Sequence, residues 1–305
     1  MDHEKQLIIP KVYLKHFATT NNKVKVIQLS NPHRRNIQEK GIGDQIFCDY
    51  EKRYYDFPNK RNEHVLEKMF GQIENEDYET IMSSVNSNED LGYETKKKII
   101  NWTTMTKMRS SYFRDTFSSN IAWAEKTKSR LKSKSQISKE EEKNIEDKSK
   151  NIAKGIHLFS FFDNHNEILK EYFANFMCKD WSILKSTSSY FITSDNAGFS
   201  VSLSFDNFLR GNSVSSMYNL DRVNPIIPYF PLSKEYTLCL FPLSQESIRK
   251  DVEDLKHTSI KIETVGNDKI YLINEMTIQS SYKLIIASES VDLENMLDLI
   301  KKRFH

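Results

Sequence analysis

The chain has 305 residues, a length sufficient for one large or two modest domains with a hydrophobic core, and its formal net charge is +2. Its 38% hydrophobic and 11% aromatic residues exclude an intrinsically disordered chain. Three scattered cysteines without a C-x-x-C pair exclude a disulfide framework and a zinc knuckle, and the 8 glycines form no phosphate-binding loop pattern.

The first half of the chain predicts short extended segments followed by helices. Val24–Leu29 lies between turn residues and predicts a strand, whereas Lys11–Phe17 follows a proline and fits one helical turn. Further along, apolar residues recur at helical spacing, which favours amphipathic helices with one buried face. These helical patterns cover residues 62–85, 94–118, 138–154 and 157–180.

From Trp181 onward, short apolar runs alternate with turn residues, a pattern typical of strands. We therefore predict an α+β fold in one integrated domain. A mainly helical part (residues 1–180, with an N-terminal strand segment) packs on a mostly antiparallel, β-rich part (residues 181–305) that ends in a helix. The predicted strands are residues 190–193, 199–205, 237–241, 260–264, 270–273 and 282–287, and the predicted helices are residues 244–255 and 291–303.

Arg109 is the first candidate functional residue, because it lies in the middle of an apolar helical stripe. A guanidinium there predicts either a buried acidic partner or an arginine that snorkels past the edge of the core. In the preceding helix, Glu63, Glu67 and Glu74 follow a spacing of four and seven residues and so share one strip. Such carboxylates could serve an arginine, a metal ion or only solvent.

Asp195 is the second candidate, because it ends the aromatic and β-branched run of Tyr190–Thr193. Asp and Asn side chains commonly satisfy backbone N–H groups in turns, but strand ends also present functional groups rigidly. Ser194 and Asn196 flank this carboxylate and are further candidates. The eight histidines form no metal-ligand pair and no serine lies in G-x-S-x-G, which disfavours a conventional zinc or serine hydrolase.

The charge is uneven along the chain. Residues 96–154 hold 16 Lys and Arg against 7 Asp and Glu, and the remainder holds 28 against 35. The basic segment predicts either a nucleic-acid contact, which would weaken steeply with salt, or a solvated pair of lysine-rich helices. A protein partner could also bind this segment or the β-rich half.

The sequence predicts a cytoplasmic protein that is not in a membrane. Its N-terminus lacks a basic region followed by a long apolar run, and no stretch of about eighteen apolar residues occurs.

Several short motifs, taken in order, resemble the bacterial DUF4238 family. Ile9–Phe17 is similar to the family's opening V-P-x-F-Y-L-x-N-F, and Phe191–Asn196 matches its F-I-T-S-D-N motif. Leu7 and Ala197 depart from the family pattern, which usually has histidine and proline there. The family's further motif positions are Glu63, Glu74, Arg109, Pro231–Ser233 and Asn274. The resemblance implies that four of the motif residues converge in one site, namely Glu63, Glu74, Arg109 and Asp195.

Two classes of function follow. In the first, the protein is a nuclease-like, metal-dependent hydrolase acting as a toxin or antiphage defence effector. Glu63, Glu74 and Asp195 would hold Mg or Mn, which prefer oxygen ligands, and Arg109 would steady a phosphate. In the second, the same residues form a structural ion-pair network in a non-catalytic binding or regulatory module.

Overall fold

The computed structural model describes residues 7–29, 36–48, 65–89, 91–133, 138–161, 167–202, 226–244 and 247–303. Within these ranges the predicted α+β class is confirmed, because helices dominate the N-terminal half and strands the C-terminal half. The division at residue 180 into two parts of one domain stays a prediction.

The helices range from one turn to more than six turns. The α-helices are α1 Lys11–Lys15, α2 Val65–Gln72, α3 Glu79–Ser87, α4 Tyr93–Arg109, α5 Ser111–Ser133, α6 Lys139–Ser160, α7 Glu167–Met177, α8 Val252–His257, α9 Asn267–Ser280, α10 Ser290–Glu294 and α11 Leu297–Arg303. A π-helical stretch, Ile73–Tyr78, joins α2 to α3, and two short 3-10 helices cover Gln45–Phe47 and Ser247–Arg249.

The strands form two sheets. The strands are β1 Lys23–Gln28, β2 Gln38–Gly41, β3 Asp180–Ser186, β4 Thr193–Ser194, β5 Phe199–Ser202, β6 Ile226–Pro231, β7 Tyr236–Phe241, β8 Lys261–Val265 and β9 Leu284–Ala287. The four-stranded sheet has the order β2-β1-β9-β4 and is antiparallel throughout. The five-stranded sheet has the order β5-β6-β7-β3-β8, and in it β3 and β8 are parallel whereas the other pairs are antiparallel.

The predicted helix at residues 94–118 is two helices separated at Ser110. The backbone of Ser110 is extended, with ψ of 141°, and its Oγ accepts a hydrogen bond from the Phe113 amide at 3.1 Å. The hydroxyl also donates to the Lys107 carbonyl at 2.7 Å. Ser110 thus ends α4 and caps α5, a local competition that apolar periodicity does not reveal.

Other boundaries also differ from the prediction. The predicted strand at residues 270–273 lies inside α9, because Ile270, Ile273, Asn274 and Thr277 are buried at helical spacing. The strand predicted at residues 190–193 begins only at Thr193, and the helix predicted at 244–255 is confined to a 3-10 turn and α8. Strands β2, β3 and β6 were not predicted.

Tyr13 connects the N-terminal helix to both sheets. Its ring is fully buried, and its hydroxyl lies 2.7 Å from Thr193 Oγ1 and donates to the Pro231 carbonyl at 2.7 Å. The ring of Tyr78 stacks on Trp102 of α4 with centroids 4.3 Å apart. The Tyr13 ring also lies 6.0 Å from the Trp102 ring, so Tyr13 links α4 to Thr193 of β4, the strand that precedes the Asp-Asn turn.

Candidate functional site

Arg109 is held in a buried ion pair, which is one of the two alternatives that its position in the sequence predicts. Its side chain is only 2% exposed, Nη1 donates to the Glu74 carboxylate, and Nη2 donates to the Leu7 carbonyl at 2.7 Å. The guanidinium carbon lies 4.2 Å from the centroid of the Phe70 ring. These contacts join α4 to the π-helical stretch and to the N-terminal segment. Glu63, another carboxylate of the predicted glutamate strip, lies outside the described residues.

Asp195 is bound to backbone amides rather than left open. Its carboxylate is buried and accepts hydrogen bonds from the amides of Tyr282 at 3.1 Å, Lys283 at 2.9 Å and Leu284 at 3.1 Å. Burial raises the pKa of Asp195 above its ordinary value, and these amide donors limit the rise. The described hydrogen-bond partners of Asp195 lie at and just before the start of β9, whereas those of Arg109 are Glu74 and Leu7, so no described hydrogen-bond partner is common to the two groups.

The flanking candidates, Ser194 and Asn196, shape the turn after β4. Ser194 Oγ accepts from the Asn196 amide at 3.2 Å. The Asn196 side chain donates from Nδ2 to the Ser280 carbonyl at 2.8 Å, and its Oδ1 accepts from Lys107 Nζ at 2.8 Å. Lys107 also donates to the Gly198 carbonyl at 2.7 Å. This turn therefore fixes a lysine from α4 as well as the end of α9.

Lys107 lines a cavity of about 600 Å³ bounded by α4, α7, α9 and strands of the five-stranded sheet. A second lysine of the lining, Lys179, is buried. None of the described residues that line the cavity is an aspartate or glutamate. Much of the remaining wall is apolar and is formed by Tyr229, Phe230, Leu238 and Leu240.

Burial weakens the hold of both lysines on their protons. It lowers the pKa of Lys107 to about 8, although the charge of Asp195 acts in the opposite direction. Burial also lowers the pKa of Lys179. At neutral pH Lys107 is mainly an ammonium, so the cavity has a cationic wall.

Sequence reasoning missed both lysines. Lys107 is one of many lysines in a basic segment, and its hydrogen-bond partners Asn196 and Gly198 lie about ninety residues away. A usable signal precedes it, because Thr103, Thr104 and Thr106 are small residues where a solvated helix face usually has charged ones. All three threonines are buried, which shows that α4 is enclosed on several sides.

The described carboxylates do not fit a shared Mg or Mn ion. No group of three or more His, Cys, Asp or Glu side chains able to hold a metal occurs in the described part of the chain. Glu74 accepts from Arg109, and Asp195 accepts from three amides. A metal site that includes Glu63 stays a prediction.

Fold and site together define an α+β protein with a cationic, largely apolar cavity behind its Ser-Asp-Asn turn. A family model described as "Protein of unknown function (DUF4238)" matches residues 5–290, so the chain belongs to the DUF4238 family, as its motifs indicate. No curated protein and no solved structure matches the chain. Among the described residues, no helix is long and apolar enough to cross a membrane.

Proposed function

We propose that this protein is a non-catalytic binding module, placed in the cytoplasm, that takes a small molecule into the cavity beside Lys107. The observation that carries this proposal is the contrast between the two polar centres. Glu74, Arg109 and Asp195 bind protein groups and are not among the described lining residues, whereas Lys107 and Lys179 line a cavity of about 600 Å³. This volume lies within the roughly 300–1,000 Å³ of typical ligand sites, which combine apolar walls with a few fixed polar groups.

The described geometry supports the other hypotheses less well. A nuclease-like hydrolase needs carboxylates free to hold Mg or Mn, and Glu74 and Asp195 both have protein partners. Its use as a toxin or antiphage effector stays a prediction.

A nucleic-acid contact through residues 96–154 also stays a prediction. In the hairpin of α5 and α6, Lys126 pairs with Glu146 at 2.6 Å and Arg130 pairs with Glu142 at 2.9 Å. These ion pairs reduce the positive charge available to a phosphate backbone.

Two matched tryptophan variants test whether the cavity binds ligands. Asn175 is exposed on α7 and lines the cavity, whereas its neighbour Ala174 is exposed on the same helix and is not part of the lining. An indole in Asn175→Trp should occupy cavity space, and the same group in Ala174→Trp should not.

The assay is fluorescence titration with N-phenyl-1-naphthylamine, a neutral dye that brightens in apolar sites. We expect saturable binding to the unmodified protein, at least a tenfold weaker affinity for Asn175→Trp, and an affinity within about twofold for Ala174→Trp. Equal weakening in both variants, or no saturable binding, would contradict the proposal. Cleavage of an oligonucleotide that requires added Mg or Mn would favour the hydrolase instead.

A further inference from the structure

We infer that the cavity is a site for an organic anion: a carboxylate, sulfonate or phosphate group carried on a flat apolar body. Lys107 and Lys179 would receive the anionic group. This inference rests on the proposed function, because it names the class of ligand that the same cavity takes.

Lys107 is positioned before any ligand arrives. Its Nζ has two described acceptors, Asn196 Oδ1 at 2.8 Å and the Gly198 carbonyl at 2.7 Å. Asn196 is itself fixed by its bond to the Ser280 carbonyl. An ammonium has three N–H donors, so two are satisfied by these neutral acceptors and the third can bind a ligand. Such prior fixation lowers the entropic cost of binding.

The charge balance of the wall favours an anion over a cation or a neutral ligand. Both lysines lie on the cavity and no carboxylate is among its described lining residues. The charge of Asp195 acts on Lys107, but Asp195 is not among the described lining residues, and its oxygens accept three backbone amides. Burying a cation is unfavourable, and an anion bound in the cavity beside Lys107 would offset part of that cost. The lowered pKa of Lys107 agrees with this cost of burial.

The apolar part of the ligand is indicated by the apolar part of the cavity wall. Tyr229 and Phe230 of β6 line the cavity beside Leu238 and Leu240 of β7. The Tyr229 ring stacks on Phe199 with centroids 5.2 Å apart and an interplanar angle of 12°. Aromatic and aliphatic surfaces of this kind accommodate a flat hydrophobic body.

A pair of dyes that differ in one anionic group tests this inference. 8-Anilinonaphthalene-1-sulfonate has the same aromatic body as N-phenyl-1-naphthylamine and adds a sulfonate. We expect the unmodified protein to bind the sulfonate dye at least tenfold more tightly, which is the effect of one charge-assisted hydrogen bond in a partly dry site. Equal affinities for the two dyes would overturn the inference and would leave the binding module itself intact.

Variants of the two lysines locate the effect. Lys107→Met should weaken the affinity for the sulfonate dye about tenfold and the affinity for the neutral dye less than twofold. Lys107→Arg should retain most of the preference for the sulfonate dye, because it keeps the positive charge. Lys261→Met is the matched control, because Lys261 is exposed on β8 and is not part of the cavity lining.

If Lys107→Met does not fold, Lys179→Met takes its place, and the comparison of the two dyes on the unmodified protein still decides. A folded Lys107→Met protein that keeps the full sulfonate preference would overturn the role of Lys107. A preference lost equally in Lys261→Met would show that the dye senses net charge and would also overturn the inference. Failure of the proposed function looks different, because then neither dye saturates and Asn175→Trp weakens neither.

Discussion

Gly198 is the position where a single methyl group should damage both the fold and the cavity. Its φ is +79°, a left-handed conformation, and its carbonyl accepts a hydrogen bond from Lys107. A Cβ added there would lie 2.7 Å from Phe230 Cδ2 and 2.9 Å from the Tyr229 carbonyl oxygen. Both neighbours belong to β6, which pairs with β5 directly after the glycine.

The magnitude follows from two separate costs in Gly198→Ala. A left-handed backbone costs an alanine about 1–2 kcal/mol. The overlap with the Tyr229 carbonyl cannot be relieved by a side-chain rotation, and such overpacking costs about 1–3 kcal/mol. We therefore expect a loss of about 2–5 kcal/mol in the free energy of unfolding, a large part of the roughly 5–15 kcal/mol that stabilises a typical protein.

Gly155→Ala is the matched control, because Gly155 lies within α6 and has no atom within 4 Å of an added Cβ. Alanine is favoured over glycine in a helix interior, so this change should stabilise by about 0.5–1 kcal/mol. Urea denaturation followed by circular dichroism measures both. A loss below about 1 kcal/mol in Gly198→Ala, or the same sign in both variants, would refute the reasoning.

Two further outcomes concern buried polar groups. Asp195→Ala removes the acceptor of three amides and should cost about 3–5 kcal/mol, whereas Asp251→Ala removes one exposed helix cap and should cost about 1 kcal/mol; similar losses would contradict the structural role of Asp195. His157 is buried and donates to the Met108 carbonyl at 2.9 Å, and burial lowers its pKa to about 4. Because the unfolded chain binds this proton near pH 6.5 and the folded one does not, stability should fall as the pH drops from 6.5 to 4. Between pH 7 and pH 5, the free energy of unfolding should fall by about 1–2 kcal/mol more for the unmodified protein than for His157→Phe. Equal falls in the two proteins would contradict the lowered pKa of His157.

The sequence was most informative where an unfavourable burial limits the possible structures. Arg109 lies among apolar residues of α4, and a buried guanidinium requires an acidic partner, so a carboxylate contact was one of the two alternatives that the sequence offered. The spacing of the glutamates did not by itself select Glu74, because the same strip could also face solvent. The α+β class likewise follows from the change of period near Trp181, because helices and strands bury their residues at different spacings.

The sequence was insufficient where distant segments decide the outcome. The apolar run Ile270–Ile273 fits either a strand or a helix, and the packing of α9 against neighbouring elements selects the helix. Lys107 resembles every other lysine of its segment until the turn after β4 supplies its acceptors. A cavity wall assembled from six separate segments of the described chain has no local pattern that could reveal it.

In the Ser-Asp-Asn motif, the carboxylate at the strand end has a structural role, because it accepts hydrogen bonds from three backbone amides. Asp195 and Asn196 are neighbours in the turn after β4, but their side chains bind different segments. Asp195 anchors the amides that begin β9, and Asn196 binds the end of α9 and Lys107. The carboxylate therefore stabilises the framework, whereas the amide next to it sets the position of a cation on the cavity wall. The motif therefore contributes to the cavity through Asn196, which binds Lys107, and not through the carboxylate of Asp195.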